Sequence, residues 1–184
     1  MSAESANRKS ARSSLCSQSP LSVVNRSTFC LRNPFSVSNN HSFEVAAVTT
    51  DAIVTAFHAI RTTARVQLGD TVAIIGLGGL GLNAVRIAHL CGANVYGVDI
   101  NEATFGPALE AGAQACFGDI EELRALRPTV IVDFAGMGIT TNQAIKVAPP
   151  QARIVLVGLG TDKMTLDTSP FVTKKISLLS SLGG

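Results

Sequence analysis

Two features of this chain are best suited to bind a charged ligand: a cluster of glycines and one acidic residue. Each follows directly after an apolar run. The cluster consists of Gly76, Gly78, Gly79 and Gly81. Gly76 permits a sharp turn at the end of a strand, Gly78 lets the backbone approach a pyrophosphate, and Gly81 lets the next helix pack closely. The N–H groups at the N-terminus of that helix would bind the phosphates, and Asp99 could accept hydrogen bonds from ribose hydroxyls. The spacing therefore predicts a dinucleotide-binding site.

The sequence on both sides of this cluster makes the prediction specific. A glycine spacing of this kind is weak evidence by itself, because it also arises by chance in loops. Here an apolar run, 71–75, precedes the turn, a helical pattern follows it, and a second apolar run, 94–98, ends at Asp99. Two other classes of protein stay open: a nucleotide-free domain of the same fold, and an S-adenosylmethionine methyltransferase with a similar turn and acid. The complete glycine spacing disfavours the methyltransferase.

Short apolar runs alternate with helical patterns from about residue 43 onward. The runs are residues 71–75, 94–98, 115–117, 130–134, 153–157 and 176–180. The helical patterns fall at about 44–64, 82–90, 101–112, 121–126 and 140–148. Near-continuous apolar strands that alternate with helices are typical of parallel sheets covered on both faces. The pattern therefore predicts an α/β fold with a doubly wound, six-stranded parallel sheet, the Rossmann fold.

Polar and helix-breaking residues should set the limits of the helix that follows the second strand. Asn101 can cap its start, and Gly112 should end it. We expect Gly106 and Pro107 to interrupt it, because an interior proline removes a backbone hydrogen bond and clashes with the preceding turn.

The composition divides the chain near residue 42. Residues 1–41 are rich in Ser, Asn and Arg, contain a single acid, Glu4, and show no sustained hydrophobic periodicity. We interpret them as a disordered tail that buries too little apolar surface to fold, and an organelle transit peptide is the alternative. Residues 42–184 then form one domain, which is an ordinary length for a single hydrophobic core.

Charge, hydropathy and cysteine usage exclude several partners. The 184-residue chain has a net charge of +2, so we expect no strong attraction to nucleic acid or to an anionic membrane. No apolar run approaches the roughly 20 residues that a membrane-spanning helix needs. The cysteines form no C-x-x-C pair and indicate separate thiols in a reducing compartment; they are Cys16, Cys30, Cys91 and Cys116. A cytoplasmic location fits this composition, and mitochondrial import through the Ser/Arg-rich N-terminus is the alternative.

From Glu44 onward, six segments form a family pattern: residues 49–58, 76–81, 98–101, 133–136, 155–159 and 181–184. In these segments the chain resembles the cofactor-binding half of a zinc-dependent medium-chain alcohol dehydrogenase. Their order and spacing make the resemblance specific. It implies a Rossmann domain that binds NAD. In the intact family it also implies hydride transfer between an alcohol or aldehyde and the nicotinamide, with zinc as a second cofactor.

The resemblance also assigns roles to individual residues. Asp51 resembles the position that supplies a catalytic-zinc ligand from this half of the enzyme. Asp99 resembles the acid that binds the adenosine ribose, and its carboxylate would repel a 2′-phosphate, so NAD is expected rather than NADP. Thr55 and Leu182 resemble contacts near the nicotinamide. The complete set of expected cofactor contacts is Thr55, Gly76, Gly78, Gly79, Leu80, Gly81, Asp99, Ile100, Ala135, Val157, Gly158, Leu159 and Leu182.

The chain departs from the resembled family in its metal ligands. The family's other zinc ligands, a Cys and a His-Glu pair, come from an N-terminal catalytic domain that is not recognisable here, and His41, His58 and His89 lack the flanks of that pair. We therefore expect His58 and His89 to be packing or surface residues, no catalytic residue to be present, and zinc not to be held by this chain alone. The sequence is typical of a fragment, splice product or eroded copy. An inactive NAD-binding module is thus the alternative to a dehydrogenase domain.

The last predicted strand, 176–180, offers a surface for self-association. It should lie at an edge of the sheet, where backbone N–H and C=O groups are left to pair. In the resembled family this edge pairs with the same edge of a second subunit. A homodimer through this strand is therefore predicted.

Overall fold

The structure, a computed structural model, describes residues 49–183. The predicted tail, 1–41, the boundary at residue 42 and the first residues of the helix predicted from residue 44 lie outside this range. So do Cys16, Cys30 and His41. None of the helices between residues 49 and 183 is long and apolar enough to cross a membrane.

A parallel β-sheet forms the centre of the fold. Within the described residues it has six strands, which are β1 (Thr71–Ile75), β2 (Asn94–Val98), β3 (Ala115–Phe117), β4 (Val130–Asp133), β5 (Arg153–Leu156) and β6 (Ser177–Ser180). Their order across the sheet is β3-β2-β1-β4-β5-β6. Ile75 lies beside Val98 on one side and beside Asp133 on the other, so the central strands end at one common edge. The predicted six-stranded parallel sheet is confirmed.

Helices connect the strands and precede the first of them. Helix α1 covers residues 49–63 and consists of a π-helical turn (Thr49–Ile53), an α-helical turn (Val54–Phe57) and a second π-helical segment (His58–Thr63). The others are α2 (Gly79–Leu90), α3 (Phe105–Ala111), α4 (Leu123–Leu126), α5 (Ile139–Val147) and α6 (Thr168–Thr173). The apolar spacing of α1 predicts a regular α-helix, whereas the structure has widened turns. Such turns are frequent at functional sites.

Both faces of the sheet are covered by helices. Along β1, Val72 and Ile74 belong to one hydrophobic core with α1 and α2, whereas Ala73 and Ile75 belong to a second core with α5. All four side chains are almost completely buried. A strand buried on both faces needs apolar residues at every position, which explains the near-continuous apolar runs in the sequence.

The predicted interruption at Pro107 is wrong. Helix α3 begins at Phe105, after a 3₁₀ turn at Glu102–Thr104, so Pro107 lies in its first turn. The first N–H groups of a helix have no intrahelical acceptor, and a proline there removes no hydrogen bond. The predicted limits are confirmed: the Asn101 side chain accepts from the Ala103 N–H at 3.2 Å, and Gly112 ends the helix with φ of 114°.

The other differences concern short elements and their ends. Strands β4 and β5 each end one residue earlier than predicted, and β6 begins at Ser177. Element ends commonly vary by this much. Helix α6 was not predicted, because its six residues are too few to show a helical repeat. The segment 121–126 forms a 3₁₀ turn, Ile120–Glu122, followed by the single turn of α4.

Candidate functional site

A cleft lies at the carboxyl ends of the strands, where the chain reverses its direction across the sheet. Strand β1 has β2 on one side and β4 on the other, so the connections that follow them diverge at this point. Ligands of open α/β sheets bind at such a switch point. The cleft has a volume of about 470 Å³ and is lined by Asp51, Ala52, Gly76, Gly78, Gly79, Leu80, Gly81, Phe134 and Ala135.

The glycine turn forms the floor of this cleft, and its glycines differ in what surrounds them. Gly76 has φ of +87°, a conformation that L side chains rarely adopt. A Cβ on Gly81 would overlap the carbonyl oxygen of Gly76, so this position must lack a side chain for α2 to pack on β1. A Cβ on Gly78 or Gly79 would meet nothing within 4 Å. These two glycines therefore leave open space in front of the backbone, which is the shape that a pyrophosphate requires.

Helix α2 directs its N-terminus into the cleft. Gly78 is its N-cap residue and has extended backbone, and the Leu82 N–H donates to the Gly78 carbonyl at 2.9 Å. The first N–H groups of a helix have no intrahelical partner and lie at the positive end of its dipole. The first turn of α2 contains no acidic residue that would compete for them. The arrangement can therefore bind an anion.

Asp99 has a structural role that the sequence did not reveal. One carboxylate oxygen accepts from the Leu77 N–H at 2.7 Å, and the other accepts from the Asn101 N–H at 2.9 Å. Asp99 thus connects the end of β2 to the glycine turn. A carboxylate oxygen has two lone pairs, so each retains one for a ribose hydroxyl. Ile100, the next residue, is 95% exposed beside it.

The buried carboxylate of Asp133 shapes the opposite wall of the cleft. One oxygen accepts from the N–H groups of Ala135 and Gly136, at 3.0 and 2.9 Å. The other accepts from the hydroxyls of Thr140 and Thr141, both at 2.7 Å. Four donors satisfy the carboxylate completely, so Asp133 fixes the loop that carries Ala135 instead of binding a ligand itself.

The end of β5 packs closely against this loop. The N–H groups of Val157 and Gly158 donate to the Asp133 carbonyl at 2.9 and 3.1 Å. A Cβ on Gly158 would overlap the carbonyl oxygen of Phe134, so the two chains can approach only because this residue is glycine. Val157 is buried, whereas Leu159 is 81% exposed at the strand ends.

Helix α1 contributes the remaining wall. Asp51 lines the cleft, and the Thr55 hydroxyl, one turn later, donates to its carboxylate at 3.4 Å. Thr55 itself is nearly buried. His58, a further turn along, forms a hydrogen bond between its Nδ1 and the Ser181 hydroxyl at 3.0 Å. Within residues 49–183, no three His, Cys, Asp or Glu side chains lie together in a group that could hold a metal ion.

The structure therefore brings only part of the predicted set into the cleft. Asp51, Ala135 and the glycine turn with Leu80 line it directly. The other predicted contacts lie at the ends of β2, β5 and β6 or behind Asp51; they are Thr55, Asp99, Ile100, Val157, Gly158, Leu159 and Leu182. Ala52 and Phe134 also line the cleft but were not predicted, because their apolar side chains give no signal beyond packing.

Burial and a neighbouring charge shift the pKa values of several groups in the framework of the fold. Burial raises the pKa of the Cys116 thiol on β3, although a backbone hydrogen bond from Gly97 opposes this shift. Burial, with a smaller contribution from Arg124, lowers the pKa of Lys174. A hydrogen bond from Lys146 lowers the pKa of Asp167 at the start of α6. These groups belong to the framework of the fold.

The sheet order and the glycine turn at the strand ends define a Rossmann-type domain. A family model described as zinc-binding dehydrogenase matches residues 79–184, and the chain belongs to that family. The resemblance to the cofactor-binding domain of zinc-dependent alcohol dehydrogenases is thereby confirmed.

Solved structures of similar fold include several oxidoreductases. Acetophenone reductase from Geotrichum candidum, solved in complex with NAD, has 31% identity and a TM-score of 0.74 over 82% of this chain and 44% of that chain. AibC has 30% identity and a TM-score of 0.73 over 79% and 47%. Galactitol-1-phosphate dehydrogenase from Escherichia coli has 27% identity and a TM-score of 0.71 over 80% and 46%. The chain spans less than half the length of each.

Proposed function

We propose that residues 42–184 are the NAD(H)-binding domain of an alcohol dehydrogenase-like oxidoreductase. The observation that carries the proposal is the glycine turn at the switch point, where Gly78 and Gly79 leave open space before the N-terminus of α2. The solved complex of acetophenone reductase with NAD, at 31% identity, supports NAD as the ligand of a domain of this fold.

The adenosine half of the cofactor would lie over β2. Asp99 ends this strand and retains an acceptor site on each carboxylate oxygen for the ribose hydroxyls. A 2′-phosphate at the same place would face the negative charge of the Asp99 carboxylate. We therefore infer a preference for NAD over NADP.

The nicotinamide half would lie over the ends of β4, β5 and β6, since the strand order leaves this side of the switch point for it. Ala135 is held there by Asp133, and Leu159 is exposed beside it. When bound, NAD supplies the hydride acceptor, and the contribution of this chain is to hold and orient its ring. Alcohol and aldehyde substrates are proposed from the family alone.

Zinc does not fit the described residues by themselves. Asp51 lies at the cleft, but His58 is engaged with Ser181, and no third ligand accompanies them within residues 49–183. A catalytic zinc site needs about three protein ligands.

The lack of a third ligand within residues 49–183 favours a second candidate function, NAD(H) binding without catalysis. We expect the 184-residue polypeptide to show no zinc-dependent alcohol oxidation in an NADH-absorbance assay, and turnover abolished by Asp51→Ala would contradict this.

Calorimetric titration of the 184-residue chain tests the proposed ligand. We expect NAD and NADH to bind, NADP to bind more weakly, and S-adenosylmethionine to give no heat of binding. Equal or tighter binding of NADP would contradict the role of Asp99. Binding of S-adenosylmethionine without NADH would replace the proposal by a methyltransferase function.

A further inference from the structure

A hydrogen bond between side chains far apart in the sequence connects helix α1 to the end of β6. His58 Nδ1 and Ser181 Oγ are 3.0 Å apart, although 123 positions separate the two residues. His58 is half-buried, and Ser181 is 5% exposed. A polar pair sheltered from water keeps its geometry better than an exposed pair, because water does not compete for the hydrogen bond.

The backbone of Ser181 is fixed as well. Its N–H donates to the Leu156 carbonyl at 3.0 Å, which extends the pairing of β6 with β5 by one residue. The chain leaves the sheet directly afterwards: Leu182 is 83% exposed, and Gly183 has φ of +50°. Ser181 is thus the last anchored residue before an exposed segment at the strand ends.

This segment lies on the side of the switch point opposite Asp99. The sheet order is β3-β2-β1-β4-β5-β6, with Asp99 after β2 and the glycine turn after β1. A dinucleotide whose pyrophosphate is held at the end of β1 extends in both directions across the strand ends. Its second half must therefore pass over β4 and β5 toward the end of β6.

We propose that His58 is a positioning residue for the nicotinamide half of the cofactor. By holding the Ser181 hydroxyl, it fixes the backbone of Leu182 where that half is bound. It also connects this segment to the helix that carries Asp51 and Thr55. The inference rests on the proposed NAD(H) binding and adds a residue to it that lies outside the cleft lining.

ADP-ribose and NADH together test this proposal, because ADP-ribose occupies the glycine turn and the Asp99 side but has no nicotinamide. Dissociation constants are measured on the 184-residue chain for the wild type, His58→Ala, Ser181→Ala and the double variant. We expect each single variant to weaken NADH about five- to tenfold, the cost of one lost hydrogen bond, and ADP-ribose by less than about twofold. The double variant should bind NADH no more weakly than either single variant, since both remove the same contact.

Two further variants separate positioning from general stability. His58→Asn keeps a hydrogen-bonding group near the place of Nδ1 and should recover most of the NADH affinity. Tyr96→Phe removes another long-range side-chain hydrogen bond, from Tyr96 to Gln114 at 2.8 Å, on the β2–β3 side of the sheet. It should leave the ratio of the two dissociation constants unchanged.

The outcomes distinguish the inference from the function on which it rests. An equal loss of NADH and ADP-ribose affinity in His58→Ala, or no loss of either, would overturn the positioning role while NAD(H) binding stands. If the wild type binds neither NADH nor ADP-ribose, the proposed function and the inference are both overturned.

Discussion

At the scale of single residues, two carboxylates at neighbouring strand ends organise the cleft. Asp99 holds the Leu77 and Asn101 N–H groups, and Asp133 holds the loop after β4 through four donors. The two carboxylates differ in their free hydrogen-bond acceptor sites. Asp99 is half-buried and keeps acceptor sites, whereas Asp133 is completely buried and has none left. Of the two acids, only Asp99 can therefore contact a ligand.

Replacement of Asp99 should change both the affinity and the choice of cofactor. We expect Asp99→Ala to weaken NAD binding by about 1–3 kcal/mol, the usual cost of losing a charged hydrogen-bond partner. Asp99→Asn removes the negative charge at nearly the same size and should reduce the preference for NAD over NADP. Calorimetry with both nucleotides measures the two effects, and an unchanged preference in Asp99→Asn would contradict the electrostatic explanation.

At the scale of elements, the junction of β1 and α2 depends on a close backbone contact. A Cβ on Gly81 would overlap the Gly76 carbonyl, whereas a Cβ on Gly79, in the same turn of α2, meets nothing within 4 Å. The absence of a side chain therefore has a different effect at each position. At Gly81 it lets the helix pack on the strand, and at Gly79 it leaves room at the surface of the turn.

This difference predicts opposite effects on stability. Gly81→Ala should lower the free energy of unfolding by about 1–3 kcal/mol, because the helix must move away from the strand. Gly79→Ala should leave stability unchanged or raise it slightly, since alanine favours a helix over glycine. Urea unfolding measures the free energy of unfolding of both variants. Equal values would show that the close contact between Gly81 and the Gly76 carbonyl does not restrict the residue at position 81.

Helix α6, the element absent from the sequence prediction, is held by contacts at its start. The Asp167 N–H donates to the Asn142 side chain at 2.9 Å, and the Asp167 carboxylate pairs with Lys146 of α5 at 2.8 Å. These partners lie 21 to 25 positions upstream. Tertiary contacts of this kind leave no local pattern in the sequence, which is why a six-residue helix escapes prediction.

The Lys146–Asp167 pair predicts a pH dependence. The hydrogen bond from Lys146 lowers the pKa of Asp167, so its stabilisation is present above the ordinary carboxyl pKa and is lost as the pH falls through the lowered value. Lys146→Met should raise the pKa of Asp167 toward its ordinary value. Lys163→Met, which removes an exposed lysine four residues before Asp167, serves as the control. NMR titration of the side-chain carboxyl carbon measures the shift, and an equal pKa in both variants would refute the assignment.

Long and regular elements were predictable from the sequence, whereas contacts across the fold were not. The apolar run of β1 and the turn chemistry of Gly76–Gly81 are local signals. They located β1 correctly, and they placed the start of α2 at about residue 82, three residues after its actual start at Gly79. Pro107 was misjudged because a proline is harmless in a first helical turn. The bonds of Asp99 to Leu77 and of His58 to Ser181 join residues far apart in sequence, so no spacing rule reveals them.

Across the whole fold of residues 49–183, β6 lies at one edge of the sheet, as predicted. Leu179 in this strand is 39% exposed. An exposed edge with apolar side chains is suited to pair with a second copy. We therefore retain the prediction of a homodimer through β6.

Sedimentation velocity tests this assembly. The 184-residue chain should sediment as a dimer, and Leu179→Lys should shift it to monomer because a charge at the edge opposes pairing. Leu90→Lys is the matched control, since Leu90 is 70% exposed at the end of α2. A wild type that stays monomeric at high concentration, or a dimer that Leu179→Lys does not weaken, would contradict the prediction.

NADH titration of Gly78→Val tests most directly whether the glycine turn binds the cofactor. Gly78 has ordinary negative φ, and a Cβ there meets nothing within 4 Å, so this variant should still fold, at a cost of about 1 kcal/mol for valine at the N-cap of α2. Its side chain would occupy the space of the pyrophosphate, and we expect NADH and ADP-ribose binding to be lost. Ala125→Val, at an exposed position of α4, adds bulk elsewhere and should bind as the wild type does. Unchanged NADH affinity in folded Gly78→Val would show that the cofactor does not bind at the glycine turn.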